Sequence, residues 1–419
     1  MAMPSSPTEP RLLITLPNHL RLVAERIPSV RSTAVTLLLE VGVAQEPEAQ
    51  QGVSNLLADM VFKGTGQNSA RDIVDHLDFH GVSWGAQAGT EATRFDLVML
   101  GRELPQVLPL FAALITRPSL PAAELEVART LALQEIQHLE DEPAQKLAAL
   151  LQAHYYGPVL GRIHLGTPQT VAQLDREALL AHHHAHYRPS RAILAVAGDI
   201  DLDRISSLVQ DAFGQWEAGG QKPLAPQPPP AQTRLTHVPK DTEQTHIGVA
   251  FPSLVHRDPN YYVVQLAISV LSGTSGRLFT EVRERRGLVY TVFASHRALH
   301  DAAMIYSYAG TTTEKAQETL QVLLTELQKL SEGVRPDELE RARAGVKSAL
   351  VMQAESAGAR CRNLAADVFY RGRCVPPEEV LEHVAAVEPQ HISQYFGQHP
   401  PGPFTVTVLG REPLGWPEN

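Results

Sequence analysis

Arg283 and Tyr290 stand seven residues apart and carry two donors that could act together on one carbonyl oxygen. A guanidinium and a phenol hydroxyl both donate hydrogen bonds. Two such donors aimed at one oxygen stabilise the charge it gains in a tetrahedral transition state. Gly287 lies between them, where freedom to adopt positive φ allows the tight turn that brings both together. The competing reading is local: Arg283 caps or pairs along a helix, and Tyr290 only opens a strand. A second candidate is the stretch GVSNLLADMVFKGT, residues 52–65. Positions 55 and 59 would share one helical face, with 58 beside them. Two imidazoles so placed can hold zinc while a neighbouring carboxylate acts as base. Here the positions are Asn55, Ala58 and Asp59. Asn55 offers a neutral amide oxygen, a weak zinc ligand, and Asp59 is too short to reach where an imidazole nitrogen would sit. Ala58 offers no base, a group that contributes about 10²–10⁴-fold to rate. A third candidate, AHHHAHYRPS at 181–190, puts His182 and His186 on one helical face. Structural histidines are the expectation there, adventitious metal binding the alternative.

The elements that must position these residues are written twice. At 419 residues the chain exceeds one ordinary core, and two domains of roughly 200 residues are expected. Composition breaks at 217–232, EAGGQKPLAPQPPPAQ, which reads as a Pro-rich linker between an N-terminal domain 1–216 and a C-terminal domain 233–419. ELEVAR at 124–129 recurs as ELERAR at 338–343, and Tyr155-Tyr156 recurs as Phe369-Tyr370. RAILAVAGD, with Gly198, recurs as FTVTVLG ending at Gly410, and Gly64-Thr65 as Gly273-Thr274. Each half reads as a strand, an apolar helix, further strands, long Ala/Leu/Glu-rich helices and a closing strand. The expected fold is α+β: two homologous α/β halves, each a mixed sheet backed by helices, related by internal duplication.

Residues 52–65 resemble the metal-binding helix of the inverzincin peptidases (pitrilysin, insulin-degrading enzyme and mitochondrial processing peptidase), which reads G-x-A-H-F-L-E-H-M-x-F-K-G-T. Gly52, Met60, Phe62, Lys63, Gly64 and Thr65 match, while Asn55, Ala58 and Asp59 replace His, Glu and His. The resemblance implies that Glu135, in LALQEI, occupies the third ligand position. It is read as an ordinary helix residue, with loose binding of a hard divalent cation by Asp59 and Glu135 as the alternative. SGTSGRLFTEVRERRGLVYTVFA at 272–294 resembles the segment G-G-x-S-S-R-L-F-x-x-x-R-E-x-x-G-L-x-Y-S-V. This implies that Arg283 and Tyr290 hold a substrate's peptide carbonyl near a metal. GAQAGTEAT at 85–93 resembles the substrate-binding edge strand N-A-x-T: Ala86 and Glu91 are kept as substrate-binding candidates, while Gly85 and Ala88 replace polar residues.

The resemblance covers nearly the whole chain and implies a division of labour. Some members place H-x-x-E-H on one subunit and the arginine–tyrosine pair on another; this chain is similar to the second. It is expected to be the non-catalytic, substrate-binding subunit of a heterodimeric zinc peptidase, inactive alone and without metal or cofactor of its own. The zinc would sit on a homologous partner, and the substrate would be an extended peptide. The alternative is a stand-alone peptide-binding or scaffold protein, homodimeric where no partner is present. A net charge of −10 without a basic cluster disfavours nucleic acid. No 18-residue apolar run and no charged-then-apolar leader is present, so no membrane span and a cytoplasmic location are expected. Cys361 and Cys374 form no ligand or disulfide pattern. Nucleotide-loop and serine-elbow motifs are missing.

Overall fold

The structure, a computed structural model, describes residues 11–219 and 226–417. Two compact units form, each built on one mixed sheet. The first contains β1 (Arg11–Thr15), β2 (Arg21–Arg26), β3 (Ser32–Leu39), β4 (Ser83–Ala88), β5 (Thr93–Leu100) and β6 (Ala192–Gly198). They lie in the order β1-β2-β6-β3-β5-β4, with β2 and β6 parallel and every other pair antiparallel. Central β3 and β6 are buried almost throughout, which is why they read as near-continuous apolar runs. β5 alternates, and β4, at the edge, is mostly exposed.

Helices of the same half cover one face of this sheet, Val53–Met60 against β4 and β5 and Leu202–Phe213 against β2. The other face is covered by Ala357–Arg371, more than 300 residues from β2 in sequence. Its Cys361, Leu364, Ala365 and Val368 bury against Ala34, Leu38, Ile193 and Ala195. Beside that core, Arg360 donates to both carboxylate oxygens of Glu25 at 2.7–3.0 Å, and Arg11 adds a bond of 2.9 Å. Burial raises the Glu25 pKa, but the two guanidiniums outweigh it and hold the carboxyl below its usual value.

The second unit holds β7 (Arg234–Pro239), β8 (Thr245–Pro252), β9 (Val289–Ala298), β10 (Ala303–Thr311) and β11 (Thr405–Gly410), in the order β7-β11-β8-β10-β9. This is the order of β2-β6-β3-β5-β4, with the parallel pair again at the same place. Gly198 pairs with Arg26, and Gly410 with Pro239, at equivalent registers. Glu124 and Glu338 are each the third residue of their helices, Ala122–Asp141 and Pro336–Ala354. The helix Pro143–Leu160 covers this second sheet. It packs Leu147 and Leu151 where a Cβ on Gly248 would come within 3.3 and 3.1 Å, and His154 bonds Thr407 at 2.8 Å.

The units therefore do not follow a single cut at the linker. The stretch Gln137–Arg162 belongs to the second and Met352–Val375 to the first. An amphipathic pattern says that a helix covers a sheet, not which one. Part of the expected linker, 220–225, lies outside the described residues. Among the described residues no helix is long and apolar enough to cross a membrane.

Candidate functional site

In the first unit the helix Val53–Met60 starts at Gly52, whose φ of 95° lies in the left-handed region. The N–H groups of Gly52 and Ser54 donate to the buried Glu46 carboxylate at 2.8 and 2.9 Å. A negative charge at this end satisfies otherwise free donors and complements the helix dipole. Val53, Leu56, Leu57 and Met60 turn inward, leaving Asn55 and Asp59 half-exposed on the opposite face. The chain then turns through Phe62, which is buried and stacks on Trp84 of β4 at 4.4 Å. Opposite lies Ala122–Asp141, burying Leu125, Ala128, Ala132 and Ile136 and leaving Leu131 and Glu135 exposed.

Between these elements runs a cleft of about 220 Å³. Its walls include Asn55, Ala58, Asp59, Ala86 and Glu135, so five of the candidate residues stand together. Glu91 does not line it and sits instead on the turn between β4 and β5. The donor set does not fit a catalytic zinc. Such a centre takes three imidazole, thiolate or carboxylate ligands, and the cleft presents two carboxylates and one amide. Asp59 is moreover paired with Lys63 at 3.4 Å. Among the described residues no three His, Cys, Asp or Glu side chains converge as a metal site.

In the second unit Arg283 lies on a widened helical turn, Phe279–Glu284, in which the Arg285 N–H reaches Thr280 O at 3.0 Å. Such turns recur at functional sites. Leu278 and Val282 anchor it in the core. Gly287, at φ 60°, closes the segment: its N–H bonds Arg283 O at 2.9 Å, and the Leu288 N–H bonds Val282 O at 3.0 Å. β9 follows at once, with Tyr290 as its second residue. The Arg283 guanidinium sits 5.0 Å from the Tyr290 ring centroid and 4.8 Å from that of Phe279. Tyr290 is 73% exposed. Among the described residues neither side chain has a hydrogen-bond or ion-pair partner; the local contact of Arg283 is with the Phe279 ring four residues earlier on the same turn.

One supporting contact went unread in the sequence. Arg277, at the start of this turn, makes a forked pair with buried Glu338 at 2.6 and 2.7 Å and reaches Gly333 O at 2.9 Å. The signal was the repeated ELE motif, whose second copy supplies Glu338.

The histidine run is structural in its contacts. His182 shares a hydrogen bond with Ser54 at 3.3 Å, His183 with Ile115 O at 2.8 Å, and His186 accepts from Arg191 at 2.7 Å. Burial, more than neighbouring charge, pushes His182 down to about 3 and His183 and His186 to about 4.

Comparison with known proteins agrees with this architecture. The insulinase model of peptidase family M16 matches residues 21–167, and the peptidase M16 inactive-domain model matches 173–346. An uncharacterized zinc protease of Streptomyces coelicolor is 30% identical over 95% of this chain and 87% of its own length. One from Bacillus subtilis is also 30% identical, over 90% of this chain and 93% of its own. Among solved structures, a peptidase M16 inactive domain from Pseudomonas fluorescens superposes with a TM-score of 0.89 at 19% identity, covering 97% of this chain and all of that one. A protease from Helicobacter pylori gives 0.87 at 18% identity, covering 96% and 99%. With a relative 30% identical along nearly its full length and family models matching both halves, this chain belongs to peptidase family M16, the insulinase family.

Proposed function

We propose that this chain is the non-catalytic, substrate-binding subunit of a two-chain zinc peptidase. It supplies Arg283 and Tyr290 to an active site whose zinc is carried by a homologous partner. The observation that carries the reading is a contrast of two positions. Tyr290 is exposed, Arg283 lies half-buried over its ring, and neither has a hydrogen-bond or ion-pair partner among the described residues, whereas 55, 58 and 59 lack both imidazoles and the base. Relatives are named zinc proteases, whereas Asn55, Ala58 and Asp59 offer this chain no such zinc chemistry.

On this reading the guanidinium and the phenol donate to the scissile carbonyl oxygen as it becomes an oxyanion. Zinc on the partner supplies the activated water. The Arg277–Glu338 fork holds the turn so that neither donor must reorganise during the reaction. β4, a sheet edge with no partner on its outer side among the described residues, offers its backbone to an extended peptide.

The test is reconstitution with a homologous chain bearing an intact H-x-x-E-H. Arg283→Ala and Tyr290→Phe should each lower turnover by about 10²–10³-fold. Complex formation should persist, and stability should fall by no more than about 1 kcal/mol for the ring contacts that Arg283 makes. Unchanged turnover in the doubly substituted complex refutes the reading. Failure of any such partner to support hydrolysis, with peptides still bound, favours the second reading, a protein that clamps peptides along β4 without cutting them.

A further inference from the structure

The cleft that no longer suits zinc has a chemistry of its own. Glu135 points into it with no ion-pair or hydrogen-bond partner among the described residues, and Asp59 faces it from the opposing helix. No lysine, arginine or histidine stands among the described residues that line it. Lys63, outside the lining, pairs with Asp59 only loosely at 3.4 Å, with the Asp59 side chain 44% exposed. Besides the Asn55 amide, the rest of the wall is apolar, including Leu131, Ala128 and the indole of Trp84. Trp84 is fixed by its stack on Phe62 yet stays 36% exposed, leaving aromatic surface available. Methylene stems prefer such walls, cationic heads prefer the carboxylates, and an indole attracts a cation.

The cleft also adjoins an edge. β4 pairs with β5 on one side, and its opposite edge carries no strand among the described residues. Trp84 and Ala86, two apart on β4, both line the cleft, so a strand added to that edge would run alongside its opening. At about 220 Å³ the space admits one long side chain, since about 150 Å³ accommodates a benzene ring.

Resting on the reading of this chain as a substrate-binding subunit, we infer that the vacated metal cleft is a specificity pocket for a lysine or arginine side chain of an extended peptide lying along β4. Asp59 and Glu135 are the groups that select the cation.

The experiment uses the purified full-length chain and fluorescein-labelled ten-residue peptides of Thr, Val and Ala, differing only at one central position: Lys, Arg, Met or Glu. Anisotropy titrations should show the Lys and Arg peptides binding about 10-fold tighter than the Met peptide, as part-exposed ion pairs and one cation–π contact allow. The Glu peptide should bind more weakly still. Asp59→Asn combined with Glu135→Gln should erase the preference while leaving Met-peptide binding intact. Lys63→Met should strengthen Lys-peptide binding about 3-fold by freeing Asp59.

Equal binding of Met and Lys peptides, or a preference that survives the double substitution, overturns the inference, as does failure of all four peptides to bind. The two readings fail separately. Charge preference without dependence of reconstituted turnover on Arg283 and Tyr290 sinks the subunit reading alone, and the reverse result sinks the pocket alone.

Discussion

The cleft invites a constructive test: Asn55→His, Ala58→Glu and Asp59→His together should give this chain a zinc site. Positions 55, 58, 59 and 135 line one cleft, so the new imidazoles would face Glu135 across it and complete a two-histidine, one-carboxylate set. The substitutions cost little elsewhere. Asp59 loses a part-exposed pair with Lys63, about 0.2–1 kcal/mol, and helix propensities change by a few tenths. Ala58 is 2% exposed, so its replacement is the most demanding of the three, although it does border the open cleft. Zinc sites in small domains bind with an apparent 10 kcal/mol or more, and a value near about 10 corresponds to a dissociation constant of tens of nanomolar.

Zinc at 100 times that constant then stabilises the variant by about 2.7 kcal/mol. At about 2–4 °C per kcal/mol the melting temperature should rise by about 5–10 °C. The unaltered chain should shift by less than about 1 °C at the same zinc concentration. Competition against a chromophoric chelator gives the affinity, and scanning calorimetry gives the shift. Adding Glu135→Ala should weaken zinc by more than the 10–100-fold typical of an outer-shell partner. A folded triple variant that takes up no zinc refutes the convergence of helix face and Glu135. Uptake indifferent to Glu135→Ala refutes the assignment of the third position.

Arg360→Ala strands buried Glu25 with only Arg11, and should cost about 3–5 kcal/mol, lowering the first unfolding transition by about 6–20 °C. Glu25→Met with Arg360→Met should recover most of that loss, and a transition unmoved by Arg360→Ala would mean that the helix Ala357–Arg371 is not docked as described. The buried histidines set an acid limit. His182 and His183 are held neutral in the fold, down to about 3 and about 4, so their contribution is full above the unfolded value of about 6.5 and is lost as pH falls toward 4. Urea midpoints at pH 7 and pH 5 should differ by up to about 1.4 kcal/mol per pH unit for each histidine, and His183→Gln should flatten the slope; a pH-independent midpoint in this window contradicts their burial as neutral rings.

Much of the site was legible because its parts are local. Asn55, Ala58 and Asp59 share a helix face by spacing alone, and Gly287 between Arg283 and Tyr290 announces a turn. The strands announce themselves by burial pattern, continuous in β3 and β6 and alternating in β5. What was not legible depends on contacts between distant segments. Nothing in the apolar face of Ala357–Arg371 says that it covers β3 and β6, or that Arg360 meets Glu25. Nothing in Arg277 says that it will find Glu338 across some 60 residues.

On the proposed reading, the same distinction explains how the helix Val53–Met60 can keep the outline of a metal-binding helix without its ligands. Gly52 is required by its backbone: φ is 95°, and a Cβ there would meet Leu165 O at 2.9 Å. Phe62 is required by packing, since it lies under Trp84 and beside Phe95. These matching residues hold the helix against the sheet whether or not a metal is bound. Asn55 and Asp59 face the cleft and pack little, so they are free to change with the chemistry. Likeness in the outline is therefore evidence for the fold, whereas the identities at 55, 58 and 59 are evidence for the reaction, and in this chain the two point in different directions.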